Sequence, residues 1–171
     1  MAKVRKGVSY RGLERPYTRV SKYRKLNYTR ANPRSKIIQY NMGKANKDMP
    51  YSVSLFSDNG VQIRDISMES ARQTCNRRLE KKLGKEGYNL IIKTFPHHIL
   101  RENPLASGAG ADRMSTGMKK SFGKSIGRAI RAKPGLELMK VFIEEKHIPI
   151  AKEALKLASH KLPTSCKIKV N

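Results

Sequence analysis

The sequence predicts an α+β domain in which two helices pack against a mostly antiparallel sheet, giving two layers. Three observations predict it. Two stretches repeat apolar residues at helical spacing, Met68-Ala71-Cys75-Leu79-Leu83 and Ile150-Ala154-Leu157-Ala158. Several short runs rich in Val, Ile, Leu and Phe are separated by turn signals and are too short to be helices. No internal repeat organises the chain, and one domain of 171 residues is long enough to bury a real core.

The elements follow in order. Residues 1–35 read as an extended arm. They hold one acid, Glu14, among many Lys and Arg, and tyrosines (Tyr10, Tyr17, Tyr23, Tyr28) replace apolar periodicity. Pro16 and Pro33 prevent a helix from running through. Alone in water such a segment cannot bury enough apolar area to order itself. The core, 36–171, opens with an expected short strand at Ile37-Ile38-Tyr40. Ser52–Phe56 and Val61–Arg64 flank Asp58-Asn59-Gly60, which reads as a hairpin turn. Ser67 is the expected N-cap of the first helix, with Glu69 placed favourably in its first turn, and Gly84 or Gly87 its stop. Tyr88–Phe95 reads as a buried strand, Ile126–Lys133 as a strand with a basic exposed side, Gly135 as a turn and Leu138–Ile143 as another strand. Pro149 suits the first turn of the second helix, Pro163 follows its end, and Cys166–Val170 alternates like an edge strand.

Between these elements lies 101–124, RENPLASGAGADRMSTGMKKSFGK, glycine-rich and basic. A loop of this length inside a small domain signals function or disorder. Glycine lets the backbone approach a ligand closely, and the neighbouring cations suit a phosphate-rich one. The loop is expected to be mobile in the free protein and ordered near RNA.

Charge narrows the partner. Lys and Arg number 37 against 13 Asp and Glu, a formal net charge of +24. Self-repulsion on that scale calls for a polyanion, and nucleic acid is the first candidate. A membrane is not expected: there is no apolar run of spanning length and no signal-peptide core, so the cytoplasm is the default. Cys75 and Cys166 lack metal or redox spacing and read as reduced, half-buried thiols. Absence of Trp and only 6% aromatics argue against a large aromatic-lined small-molecule pocket.

Catalytic and cofactor motifs fail on inspection. Phe122-Gly123-Lys124-Ser125 imitates a P-loop, but the required earlier glycine is Met118. Gly108-Ala109-Gly110 begins a dinucleotide fingerprint whose third glycine is Arg113. His97, His98, His147 and His160 have no cysteine at metal-ligand spacing, and His97 and His98, if on a strand, would point to opposite faces. Asp112 is the only acid between Glu102 and Glu137, better placed to position Arg113 than to catalyse. No enzyme activity, cofactor or metal is therefore expected. Residues alone leave open a general DNA-binding protein, and an RNA-modifying enzyme using Asp112 or His97.

The loop motif is the specific signal. Ala109-Gly110-Ala111-Asp112-Arg113, Thr116-Gly117-Met118 and Phe122-Gly123-Lys124 resemble the loop of the large-subunit ribosomal protein family called L-ten-e in archaea and eukaryotes. Glu153–Pro163 is similar to the matching helix of the bacterial branch, L-sixteen, and Arg15-Pro16-Tyr17 to the archaeal and eukaryotic arm. The end at Asn171, without the longer basic tail of eukaryotic members, favours the archaeal type. The resemblance implies a hammerhead-type α+β fold, no catalysis, and a place in the large ribosomal subunit against its rRNA and neighbouring proteins. It also implies proximity to A-site and P-site tRNA, with the loop reaching toward the CCA end of the latter, and late assembly aided by assembly factors. On this chain the rRNA-binding candidates are Arg5, Lys6, Arg11, Arg15, Tyr17, Arg19, Lys22, Arg24, Lys25, Arg30, Arg34, Lys36, Arg77, Arg128 and Arg131. The tRNA-proximal candidates are Gly108, Gly110, Asp112, Arg113, Thr116, Met118, Lys119, Lys120 and Lys124.

Overall fold

The computed structural model describes residues 5–29, 31–44, 49–103, 110 and 123–171. Its elements are β1 (Asn41–Gly43), β2 (Tyr51–Ser57), β3 (Val61–Arg64), α1 (Asp65–Leu83), β4 (Asn89–Ile92), β5 (His98–Glu102), β6 (Lys124–Ala132), β7 (Glu137–Ile143), α2 (Ile148–Ser159) and β8 (Cys166–Val170). The strands form a five-stranded sheet, β1-β4-β7-β2-β8, and a three-stranded sheet, β3-β6-β5. Every pairing is antiparallel. The class is α+β with helices layered on sheet, as the residue pattern predicts.

The helices bury their stripes in one core shared by both sheets, to which the smaller sheet adds Val61, Ile63, Ile130 and Ala132. Met68, Ala71, Cys75 and Leu79 from α1 meet Ala151, Ala154, Leu155 and Ala158 from α2, over Val53, Leu55, Leu90, Met139 and Val141. Excluding these surfaces from water is the main stabilising term. Inside this core the Cys75 thiol is pushed up to about 12 by burial, so it packs as a small apolar group. Gly84, at φ +70, stops α1, its N–H donating to the Glu80 carbonyl at 3.0 Å. Among the described residues no helix is long and apolar enough to cross a membrane.

Several local expectations are corrected. Asn59-Gly60 does not close a hairpin, because β2 and β3 belong to different sheets. Neighbours from elsewhere hold the backbone there. Ser57 N–H donates to Leu136 O at 2.9 Å, Gly135 N–H to Ser57 O at 2.8 Å and Asp58 N–H to Ser165 O at 3.0 Å. Gly60 does not adopt positive φ. Ser67 is not the N-cap: α1 begins at Asp65, whose carboxylate accepts from Ile66 N–H at 2.8 Å and from Lys36 N–H at 3.1 Å. Glu69 is buried rather than simply facing the helix dipole. Burial raises its carboxyl, but hydrogen bonds from Arg72 and Gln73 outweigh that and leave it lowered.

The strand expected at 37–40 forms instead at Asn41–Gly43. Ile38 N–H donates to the Glu69 carboxylate at 3.3 Å, so that backbone is already engaged. Ile37 is in the core and Ile38 is 80% exposed. β4 is shorter than the expected 88–95, and β5 takes up residues 101 and 102, which the sequence assigns to the loop. On α2 the buried stripe is Ala151-Ala154-Leu155-Ala158, leaving Leu157 exposed.

Candidate nucleic-acid interface

The smaller sheet carries the arm. Residues 5–29 and 31–36 run across β3, β5 and β6, held by polar contacts to their backbone. Gln62, on β3, donates its Nε2 to Tyr10 O at 3.1 Å and its backbone N–H to Arg11 O at 3.0 Å. Arg131 donates Nε to Glu14 O at 2.8 Å. Arg128 donates to Pro33 O and, at 2.9 Å, to Asn32 Oδ1. Ser125 donates its hydroxyl to Ala31 O at 3.0 Å. Tyr17 is the centre of this clasp. Its N–H donates to His98 Nδ1 at 3.0 Å, and its carbonyl accepts from Ile99 N–H at 3.1 Å. Its hydroxyl donates to Tyr28 O at 2.8 Å. The guanidinium of Arg101 lies 3.6 Å from the centre of its ring, and the Tyr28 ring 5.1 Å away.

Apolar contact adds little here: Tyr10, Leu100 and Ala129, with Ile126 beside them, form a small separate cluster. An arm without apolar periodicity docks all the same, because the sheet's polar side chains satisfy its carbonyls. His98 accepts the Tyr17 N–H only while unprotonated, and burial lowers its pKa in that direction.

The structure thus sorts the rRNA-binding candidates. Arg5, Lys6, Arg11, Arg15, Arg19, Lys22, Arg24, Lys25, Arg34 and Lys36 are exposed along the arm, and Arg77 is exposed on α1. Arg5 is also paired with Glu102, which accepts from the Tyr10 hydroxyl at 3.1 Å; the Arg5 guanidinium holds that carboxyl below its ordinary range. Arg128, Arg131 and Tyr17 are engaged with the protein itself. Arg30 lies outside the described residues. Gln62, Arg101 and Glu102 are the participants that sequence reasoning missed, whereas His98 takes a structural place in the clasp. The alternation that sets His98 opposite His97 was the one available signal.

Of the tRNA-proximal candidates, Gly108, Asp112, Arg113, Thr116, Met118, Lys119 and Lys120 lie outside the described residues. Gly110 has φ +79. Lys124 opens β6 opposite Glu102, so the loop leaves from and returns to the end of the β5–β6 pair. Gly123 at this root has φ +85, and a Cβ there would lie 2.9 Å from the Glu102 carbonyl carbon, so only glycine fits. Beside the root is a cleft of about 980 Å³ lined by Tyr17, Arg24, Lys25, Tyr28, Gly123 and Lys124 among others. Three cations and two tyrosines around one opening match what a nucleic-acid backbone and its bases require.

Fold and surface define a basic α+β protein with a cation-studded arm clasped along its smaller sheet. Comparison with known proteins sharpens this. The family model described as ribosomal protein L16p/L10e matches residues 16–169. Relatives named "Large ribosomal subunit protein uL16" occur in Archaeoglobus fulgidus, 44% identical over 94% of this chain and 89% of the relative, and in Methanoculleus marisnigri, 42% identical over 85% and 86%. Another, from Methanococcus maripaludis, is 43% identical over 86% of each. The chain belongs to the ribosomal protein L16p/L10e family and is of the archaeal type. It is a structural constituent of the ribosome rather than an enzyme, and it resides there, in the cytoplasm.

Proposed function

We propose that this chain binds large-subunit rRNA through the outward cations of its clasped arm and the cleft at the loop root, and that loop 101–124 reaches the tRNA-binding region. The observation that carries the reading is the cleft: Arg24, Lys25 and Lys124 converge with Tyr17 and Tyr28 where the loop leaves the sheet. The clasp fixes the arm's backbone and leaves its cations exposed, so less ordering is left to be done on binding. Phosphate contacts position such a protein, and aromatic rings accept unstacked bases. Gly108, Gly110, Asp112, Arg113, Thr116, Met118, Lys119, Lys120 and Lys124 are assigned to the neighbourhood of A-site and P-site tRNA, the loop tip toward the P-site CCA end. Late entry into the subunit, with neighbouring proteins and late assembly factors as partners, belongs to the same reading.

The test is sucrose-gradient sedimentation of native lysate, the chain being detected in each fraction. Stoichiometric co-migration with large subunits and translating ribosomes is the expected result. Migration as free protein or with nucleoid material would discard the reading. A variant lacking residues 109–117 is expected to enter subunits yet impair translation or their final maturation; normal growth would remove the loop's role.

A further inference from the structure

The chain has four phenylalanines, and none of the three described ones is in the apolar core. Aliphatic, methionine and tyrosine side chains fill it instead. Phe56 and Phe142 are half-buried at the surface and Phe95 is exposed. Phe95 stacks on Tyr40 near the arm, at 5.7 Å. Phe56 and Phe142 are elsewhere, on the face of the five-stranded sheet opposite the helices.

Register fixes that placement. Phe142 pairs with Ser52, Lys140 with Ser54, Ser54 with Lys169 and Phe56 with Lys167. Directly opposed residues of an antiparallel ladder share a face, as do residues two apart on a strand. Phe56, Phe142, Lys140, Lys167 and Lys169 therefore share one face with Glu137, which pairs with Phe56 and accepts from the Ser54 hydroxyl at 2.6 Å. Their strand partners on the other face, Val53, Leu55, Met139 and Val141, are buried under the helices. The Lys140 ammonium lies 4.9 Å from the centre of the Phe142 ring and that of Lys169 5.3 Å from Phe56. Lys167 is paired with Asp58 at 2.7 Å, while among the described residues no acid is paired with Lys140 or Lys169.

We infer that this face is a second RNA-binding site, a platform for an unpaired strand whose phosphates meet Lys140 and Lys169 and whose bases stack on Phe56 and Phe142. The inference rests on the proposed RNA-binding reading but uses the five-stranded sheet rather than the arm and loop root that carry that reading. Each ammonium now covers a ring face. A strand offers it a phosphate and offers the ring a base, so both exchanges are favourable together. Duplex RNA keeps its bases stacked inside and cannot use the rings, so the platform selects unpaired RNA. Glu137 is held by Ser54 and Asp58 by Lys167, so Lys140 and Lys169 are the cations this face leaves for a partner's phosphates, and the two rings, set apart among charged residues, do not form the continuous apolar patch of a protein interface.

The test uses the full-length chain and fluorescein-labelled RNA of about 12 nucleotides, single-stranded or as a duplex of the same length. Anisotropy titrations compare the wild type, the double variant Phe56→Leu/Phe142→Leu and the arm variant Arg24→Ala/Lys25→Ala. Leucine keeps apolar bulk and removes the π-face. The expected result is about tenfold weaker single-strand binding by the phenylalanine variant, with unchanged duplex binding and thermal midpoint. The arm variant is expected to weaken both RNAs. Wild-type single-strand affinity in the phenylalanine variant, or equal losses on both RNAs, overturns the platform and leaves the arm reading standing. Failure of the wild-type chain to bind either RNA overturns both. Wild-type RNA binding combined with loss of the variant from subunits would assign the face to a neighbouring protein instead.

Discussion

Both sheets feed one apolar core, but the smaller one also carries the arm, and the two coverings are built differently. The five-stranded sheet is covered by α1 and α2 through side chains almost wholly withdrawn from water. The three-stranded sheet adds Val61, Ile63, Ile130 and Ala132 to that core, and it also carries an arm with no apolar periodicity, fastened by Gln62, His98, Arg128 and Arg131 to its backbone. An apolar seam depends on area and shape, whereas a polar clasp depends on each donor finding its acceptor. The first suits a rigid base. The second suits a surface that must present cations in quantity without hiding them.

The largest effect that sharpens this contrast is expected in the apolar seam. Leu155 is fully buried between α2 and the sheet. Leu155→Ala should cost about 2–5 kcal/mol by loss of transfer energy plus a cavity, read as a drop in the denaturant midpoint. Loss confined to the arm, with the core unaffected, would mean that the two halves do not divide as described.

Next comes the clasp. Arg128→Met keeps the stem but removes the donors to Pro33 O and Asn32 Oδ1. Hydrogen bonds from a charged group are worth about 1.5–3 kcal/mol, so residues 31–36 should become accessible to hydrogen exchange and protease while the core midpoint holds. Unchanged protection would reduce Arg128 to an RNA contact, as the sequence alone reads it.

The clasp should also sense pH. His98 accepts from Tyr17 N–H, and Glu14, Arg131 and Arg101 are the charged groups that act on it. Burial lowers its pKa below the ordinary 6.5, with the Glu14 carboxylate opposing that shift. In the pH range between the two values the undocked arm leaves the imidazole more protonated than the docked arm does. Stability is therefore fully present above about 6.5 and is lost as pH falls toward the lower, docked value. Arm protection measured by hydrogen exchange should fall over that window, and His98→Asn, which keeps an acceptor and cannot titrate, should flatten the profile. A flat wild-type profile would mean that the histidine is not part of the clasp.

How much of this the sequence displays follows the same division. The α1 stripe Met68-Ala71-Cys75-Leu79, β7 and the edge strand β8 are legible because periodicity and burial coincide. The Asn59-Gly60 turn misleads because local turn chemistry is overridden by bonds to Leu136, Gly135 and Ser165, far away in the chain. The α2 stripe keeps Ala154 and Ala158 but takes Ala151 and Leu155 in place of Ile150 and Leu157, since the leucines are equally apolar and only packing decides which faces in. The arm's cations are legible as charge. Which cations of the chain face outward is not, because Arg128 and Arg131 of β6 owe their inward role to carbonyls of Pro33 and Glu14 in the arm, about a hundred positions earlier.

The smallest effect on stability should come from the cations that face out. Arg24 and Lys25 are exposed and line the cleft at the loop root. Their double substitution by alanine should leave stability within about 0.5 kcal/mol of wild type, since they make no ion pair among the described residues. Binding is another matter. Each cation that neutralises a phosphate contributes about one counterion to the salt dependence, so the slope of log affinity against log salt should shrink by about two. Arg128→Met is the contrasting case: it should loosen the arm first and change the slope only as far as the arm's own cations lose their alignment. Equal slope changes from both variants, with equal arm protection, would erase the distinction between cations that fasten the arm and cations that meet RNA.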